Sequence, residues 1–283
     1  MNRPTGLIII LVLAITMALP AFIGCGGKPA ATPSAQDLPQ ILDDALLAVE
    51  NAGSYQFTVD ASTVVDTTET SQWEDMNATI AMTGAADNTN GEIQINYTVH
   101  LSGVLFEFEE GLNDFTGKIY SLSDWTYSWT DMYENQNPWS KVPSTGGVNE
   151  QYNVVTQDLA LLASPENIEF LRNERFDGSE CHVLKVTPNL TNSEQWFYDH
   201  QLSTTDIIYW TEVENDVVET AFTVWIDAET SLIKKMDANM LIDFTNPTEF
   251  DTITLDVKMQ MKDYNKPVSI VLPEEAQNAE DIS

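Results

Sequence analysis

Residues 92–101 read Glu92-Ile93-Gln94-Ile95-Asn96-Tyr97-Thr98-Val99-His100-Leu101, with apolar and polar side chains in strict alternation. Successive side chains of a strand point to opposite faces. Ile93, Ile95, Tyr97, Val99 and Leu101 therefore share one face, and Glu92, Gln94, Asn96, Thr98 and His100 share the other. Such a strand belongs to a sheet with one greasy and one wet face, which is an antiparallel habit. Asn88-Thr89-Asn90-Gly91 stands immediately before it, and Asn-Gly readily takes the positive φ angles of a hairpin.

The same period recurs on both sides. Tyr55, Phe57, Val59 and Ala61 alternate with polar residues, and a further strand is expected through Trp73 to Met82. Val104, Phe106 and Phe108 continue the pattern. Strands follow through Ile119, through Trp125, Tyr127 and Trp129, and through Trp139-Ser140-Lys141-Val142. Strands resume at Ile168–Phe176 and Glu180–Thr187 around the turn Asp177-Gly178, then at Ala221–Asp227, Leu232–Thr245 and Thr252–Asp263. Lys266–Pro273 closes the fold. The stretch from Asn189 to His200 is polar and fits a short helix.

Two stretches break the period of two. Leu38, Ile41, Leu42, Ala45, Leu46 and Val49 recur at steps of three and four, the stripe of an amphipathic helix. Asp37 is placed to cap it, Pro39 fits its first turn, and Gly53 is placed to end it. Tyr152, Val155, Leu159 and Leu162 form a second stripe over 148–163, stopped by Pro165. Helix, strands, helix, strands implies an α+β chain, mainly β: a curved antiparallel sheet with helices as a lid.

The chain has 283 residues, 12 Lys+Arg and 44 Asp+Glu, for a formal net charge of −32. Nucleic-acid binding needs clustered cations to displace counterions, so it is excluded. Electrostatic docking on an anionic lipid surface is excluded on the same ground. At 43% hydrophobic, the chain has enough apolar surface for a sizeable core. Its 2 cysteines make no disulfide framework.

Arg3 is the only charged residue before Cys25, and an apolar run from Leu7 to Leu19 leads to Pro20 and Phe22-Ile23-Gly24-Cys25. A basic start, an apolar stretch and a small residue before the cut describe an export signal. The cysteine after Gly24 resembles a bacterial lipobox, in which the thiol receives a diacylglyceryl group and the signal is removed. Ile23 and Gly24 fit that pattern, whereas Phe22 stands where leucine is usual. Residues 1–24 are thus read as a lipoprotein signal peptide, and 25–36 as a lipidated Cys25 with a flexible tether rich in Gly, Ala and Pro. Residues 37–275 are read as a single domain, and 276–283 as an acidic tail. Losing Arg3 with the signal takes the net charge from −32 to −33.

Motifs for chemistry are sparse. His100, His182 and His200 lie far apart, with no pair at metal-ligand spacing. Cys181 and His182 are adjacent, but on a strand they point to opposite faces and cannot form a thiolate–imidazole pair. Asp87-Asn88-Thr89-Asn90-Gly91 resembles a calcium loop only faintly: Ala86 stands where a ligand is needed, and Tyr97 where the closing Glu would be. The chain has no G-x-S-x-G, P-loop or G-x-G-x-x-G. No catalytic residue, metal or cofactor is expected. What remains is the apolar inventory. Two helices over a curved sheet leave room for a hollow lined by Phe57, Val59, Ile95, Tyr97, Val99, Phe106, Phe108, Trp125 and Tyr127, closed by Leu159 and Leu162. A hollow of that kind suits an acyl chain, which gains about 25 cal/mol per Å² on leaving water.

Several segments together resemble a known family. They are Ile41-Leu42-Asp43-Asp44-Ala45-Leu46 leading into Ser54-Tyr55-Gln56-Phe57-Thr58-Val59, then Trp139-Ser140-Lys141-Val142, and Phe176-Asp177-Gly178-Ser179-Glu180-Cys181-His182-Val183-Leu184. Thr223–Lys235, with its Ile226-Asp227 turn, and Tyr264–Pro273 complete the set. Their order along residues 37–275 resembles the LolA-like superfamily of envelope lipoprotein carriers and the mycobacterial LppX/LprG-type lipoproteins. The resemblance implies a half-barrel with a helical lid over an apolar cavity, and the carriage or sensing of lipids or lipoproteins. A Cys25-anchored chain departs from the soluble carrier LolA and looks more like the membrane-bound relatives. The expectation is a non-catalytic lipoprotein outside the cytoplasm, anchored to the membrane by Cys25 and holding a lipid or acylated ligand. The alternative is an envelope sensor or interaction module with no lipid, using Trp125, Tyr127, Trp129 and Trp139 as an exposed patch for an envelope protein or glycan.

Overall fold

The computed structural model describes residues 30–69, 75–103, 114–131, 139–144, 159, 161–189, 217–243 and 250–282. Its first helix, α1, spans Leu38–Glu50. Twelve strands follow in one sheet: β1 (Ser54–Thr67), β2 (Met76–Asp87), β3 (Glu92–Ser102), β4 (Asp114–Ser121), β5 (Trp125–Thr130), β6 (Trp139–Pro143), β7 (Pro165–Phe176), β8 (Ser179–Pro188), β9 (Val217–Asp227), β10 (Ile233–Asp243), β11 (Phe250–Lys262) and β12 (Glu280–Asp281). Their spatial order is β12-β6-β5-β4-β3-β2-β1-β11-β10-β9-β8-β7. The chain thus lays down two meanders, β1–β6 and β7–β11, and joins them where β1 pairs antiparallel with β11. Every pairing is antiparallel except that of β12 with β6. The result is a large, open, curved antiparallel sheet, mainly β as the alternating pattern requires.

The registers fix which residues share a face. Phe57 pairs with Met261 and Gly84, Gly84 with Ile95, and Ile95 with Ile119. On the other side Met259 pairs with Met236, Met236 with Val224, and Val224 with Leu184. This face carries the main core, and α1 packs on it through Leu38, Leu42, Ala45 and Val49. Leu159 and Leu162 join the same core with helical backbone at Leu159. The rest of the expected 148–163 helix lies outside the described residues, apart from Leu161 and Ala163, as do Trp73, Phe106, Phe108 and the 190–200 stretch.

Local details revise three expectations. Asp37 begins α1 without capping it; its carboxylate turns back and accepts the Ser34 N–H and Oγ–H at 2.9 and 2.6 Å. The helix ends through Asn51, whose Nδ2 donates to the Leu47 carbonyl at 2.9 Å, rather than through Gly53. Gly53 instead ties two turns to α1: its N–H donates to Asn265 Oδ1 at 2.7 Å, and its carbonyl accepts the Asn88 N–H at 3.0 Å. The Asn88–Gly91 turn is a four-residue loop in which only Gly91 takes positive φ, at 67°. Asp87 Oδ1 holds it by accepting the Thr89 and Asn90 N–H groups. By contrast Asp177-Gly178 is the expected two-residue hairpin, with φ of 45° and 82°.

The C-terminal segment, which includes the acidic residues from 276, packs on the sheet. A short 3₁₀ helix at Glu274–Asn278 and β12 carry it back onto the outer face of β4–β6. Ala276 and Ala279 are buried against Tyr120 and Trp139, with Ile270 and Leu272 beside them. Ala276 lies on the 3₁₀ helix and Ala279 just after it, and both small side chains meet the rings.

Candidate functional site

The face that carries α1 has a distinct charge pattern. Across β1–β6 and β9–β11, every described residue whose register places it on this face is uncharged. All the carboxylates and ammonium groups of those strands lie on the other face or at the strand ends. In β7–β8, Arg175 and Glu180 share this side, as the second pair from the hairpin tip. His182 also faces this way. Burial pulls its pKa down, so the ring is neutral, and its Nδ1–H donates to Asn173 Oδ1 at 2.8 Å.

This uncharged face divides into a sealed and an open half. A thirteen-residue helix is about 20 Å long, whereas a fourteen-residue strand such as β1 runs about 47 Å. The helix is thus less than half as long as the strand. In the core it joins, Tyr55, Phe57, Val59, Ile93 and Ile95 are buried among Leu42, Val49, Leu162, Met259 and Met261. Farther along the same strands Ala61, Thr63 and Val65 of β1, Ala78 and Ile80 of β2, Leu101 of β3 and Leu255 and Val257 of β11 are only half-buried, while Met76, Met240, Ile242 and Ile253 among them are buried. A notch of about 20 Å³ opens in this half between Thr220, Phe222, Ala238, Met240, Leu255 and Val257, with Asn239 at its rim.

The expected cavity-lining residues fall into three groups. Phe57, Val59, Ile95, Leu159 and Leu162 come together in the main buried core. Tyr97 and Val99 lie on the same face at the passage to the open half, Val99 buried and Tyr97 half-buried. Trp125 and Tyr127 sit on the opposite face: Tyr127 pairs with Tyr120 and Lys141, while Thr126 and Ser128 point inward beside Ser121 and Ile119. The reason is the C-terminal segment, which supplies an apolar cover on the outer side and inverts the usual inward preference of the aromatics. Phe106, Phe108 and Cys25 lie outside the described residues.

The same inversion removes most of the exposed aromatic patch. Trp139 is 5% exposed, and Tyr127 and Trp129 pack against the cluster it forms with Tyr120, Ala276 and Ala279. Lys118 lies over the Trp129 ring at 5.4 Å and Lys141 over Trp125 at 4.7 Å. Each of these cations stacks on an indole, a contact worth about 0.5–1 kcal/mol at exposed sites.

Sequence reasoning missed Gly84 and Gly117. A Cβ on Gly84 would stand 2.2 Å from Phe57 Cζ, and one on Gly117 2.1 Å from Tyr97 Cζ. Each glycine lets a ring on the neighbouring strand lie flat across the sheet. Glycine inside a strand is a recognised sign of such close approach, so the signal was present in the sequence. Thr220 was missed as well. A lone threonine in an apolar strand gives no warning that its hydroxyl is unpartnered.

Nothing in the described residues favours catalysis. Burial pushes the Cys181 thiol up to about 11, with Asp227 adding to the effect, so the sulfur stays protonated. Among the described residues no group of three or more His, Cys, Asp or Glu side chains is arranged to hold a metal ion. No described helix is long and apolar enough to cross a membrane. A larger outer cleft of about 410 Å³ is bordered by Thr58, Phe176, Asp177, Lys234, Gln260 and Lys262, and its mixed charges suit no apolar ligand.

A scan against protein-family models and a search of curated protein sequences each return no match. A search of solved structures returns chains of low identity that align over most of this one. LprF from Mycobacterium bovis is 13% identical, with 87% of this chain and 99% of that chain covered and a TM-score of 0.45. The Mycobacterium tuberculosis lipoprotein LppX is 14% identical, with 84% and 100% covered and a TM-score of 0.40. A LolA superfamily protein from Nitrosomonas europaea is 12% identical, with 86% and 97% covered and a TM-score of 0.22.

Proposed function

We propose that the chain is a cell-envelope lipoprotein, anchored outside the cytoplasm through Cys25, that holds a lipid or acylated ligand on the open half of its uncharged face. The observation that carries this reading is the segregation of charge. In a chain with 44 acidic residues, the α1-bearing face of nine described strands, β1–β6 and β9–β11, carries no charged side chain of those strands in register, and part of that face is half-covered. A surface kept free of charge yet not closed by the protein's own core gains about 25 cal/mol per Å² when an apolar guest covers it. The small residues Ala61, Ala78 and Ala238 leave room for such a guest. The role is binding, without turnover.

The test uses the full chain extracted from membranes, with mass spectrometry of whatever lipid accompanies it. Val257 lies in register with Ala61 and Ala238 on the open half, while Lys258 next to it points to the outer face. Val257→Glu is expected to lower the lipid-loaded fraction at least about tenfold, because an ionised carboxylate is costly to bury against acyl chains. Lys258→Glu places a carboxylate on the other face, with a larger change in net charge, and should leave loading unchanged. Recovery of lipid-free wild-type chain, or equal loading of the Val257→Glu variant, sinks the proposal.

A further inference from the structure

The notch in the open half contains a feature that an apolar container does not explain. Thr220 is 8% exposed, and its Oγ1 is one of three buried side-chain polar atoms without a hydrogen-bond partner among the described residues. The other two, Trp225 Nε1 and Asp237 Oδ1, belong by register to the charged outer face. Thr220 faces inward opposite Met240. The walls around it are Phe222, Ala238, Leu255 and Val257, none of which offers a side-chain donor or acceptor. Asn239 at the rim has its amide turned to Asp256 on the outer side.

A buried hydroxyl normally finds a partner, because leaving it unpaired forfeits the hydrogen bonds it made in water. The notch of about 20 Å³ admits a single oxygen atom with its substituent, and it opens onto the half-covered apolar strip. One donor set in an otherwise apolar wall is a receptor for one acceptor on an otherwise apolar guest. Among the described residues no charged side chain of β1, β9, β10 or β11 is in register on this face beside it to favour a phosphate or a carboxylate. A neutral carbonyl is the matching chemistry.

We infer that Thr220 is a ligand-binding residue whose hydroxyl donates to the ester carbonyl of an acyl chain lying on the open half of the sheet. The inference rests on the lipid-holding reading above and adds the linkage that the site selects. An ether-linked chain has the same length and greasiness but no carbonyl oxygen to place in the notch.

The experiment offers the full chain, in mixed micelles, equal amounts of a phosphatidylcholine with two ester-linked oleoyl chains and its ether-linked twin. Native mass spectrometry reads the ratio bound. The wild type is expected to prefer the diester about five- to tenfold, the weight of one net hydrogen bond. Thr220→Val keeps the shape and removes the hydroxyl, and should bring the ratio to about one with ether uptake unchanged. Thr220→Ser restores a hydroxyl and should restore the preference, which separates loss of the contact from loss of the fold. Equal uptake by the wild type, or a preference that survives in Thr220→Val, overturns the inference while leaving a lipid container intact. A Thr220→Val chain that becomes more heat-stable with an unchanged lipid ratio also overturns it, since the hydroxyl then held only water. Uptake of neither lipid removes the container reading and this inference with it.

Discussion

Gly84→Val is expected to lower the unfolding midpoint of the chain by about 10 °C. The new Cβ would stand 2.2 and 2.6 Å from Phe57 ring atoms and 2.8 Å from the Gln94 carbonyl oxygen. The carbonyl belongs to the sheet ladder and does not yield, so the ring must leave its place. Phe57 is 1% exposed and touches the core that joins α1 to the sheet. Overpacking alone costs about 1–3 kcal/mol, and emptying a buried phenylalanine site costs about 3–5 kcal/mol. A loss near 3–4 kcal/mol corresponds to about 10 °C for a domain of this size. Thermal unfolding followed by circular dichroism measures it. The partner test is the Phe57→Ala, Gly84→Val double variant. With the ring gone, most of the valine's clash disappears, so the combined loss should fall well short of the sum of the two single losses. A Gly84→Val midpoint within about 2 °C of wild type, or strictly additive losses, would mean that the ring does not depend on the glycine.

This pair of residues also marks where the sequence stops speaking. Strands were legible because period-two alternation survives in nearly every one of them, and α1 because its stripe is clean. The Asp177-Gly178 hairpin was legible because two residues between strands leave few backbone options. Alternation states which residues share a face, but not which face is covered. Trp125, Tyr127 and Trp129 share the outer side, where a segment about 140 residues later in the chain returns to pack against Tyr127 and Trp129. Burial divides β1 in the same way. Phe57 and Val59 are buried in the core that α1 joins, whereas Ala61 and Val65 of the same strand are half-buried, and no local pattern encodes that division. Thr220 shows the remaining gap: an unpaired hydroxyl is a property of its neighbours, and those come from β10 and β11.

The second large effect concerns Asp227, which ends β9 and is 5% exposed. The chain turns there over Ala228–Leu232, with Ser231 at a φ of 59°. Asp227 Oδ1 accepts the Glu229 and Thr230 N–H groups, each at 3.0 Å, and Lys234 Nζ lies 3.7 Å from Oδ2. Burial works to raise the carboxyl's pKa, but hydrogen bonds from Ser179, Thr230 and Glu229 outweigh it and hold the value below the ordinary 3.8. Asp227→Ala removes the acceptor from two turn amides and leaves Lys234, itself largely buried, without its partner. Hydrogen bonds to charged groups contribute about 1.5–3 kcal/mol each. A loss of about 3 kcal/mol, or about 6–12 °C, is expected. The sign with pH follows from the depressed pKa. The folded chain holds this proton less tightly than the unfolded chain, so the carboxylate's contribution is fully present above about pH 4 and is lost as pH falls through the lower, folded-state value. Asp227→Asn keeps one acceptor oxygen and abolishes the titration. Its deficit against the wild type should therefore be constant from pH 7 to 5 and shrink below pH 4. Urea unfolding at a series of pH values reads both trends. A deficit that does not change on acidification would show that the turn, rather than the charge, sets the stability of this corner.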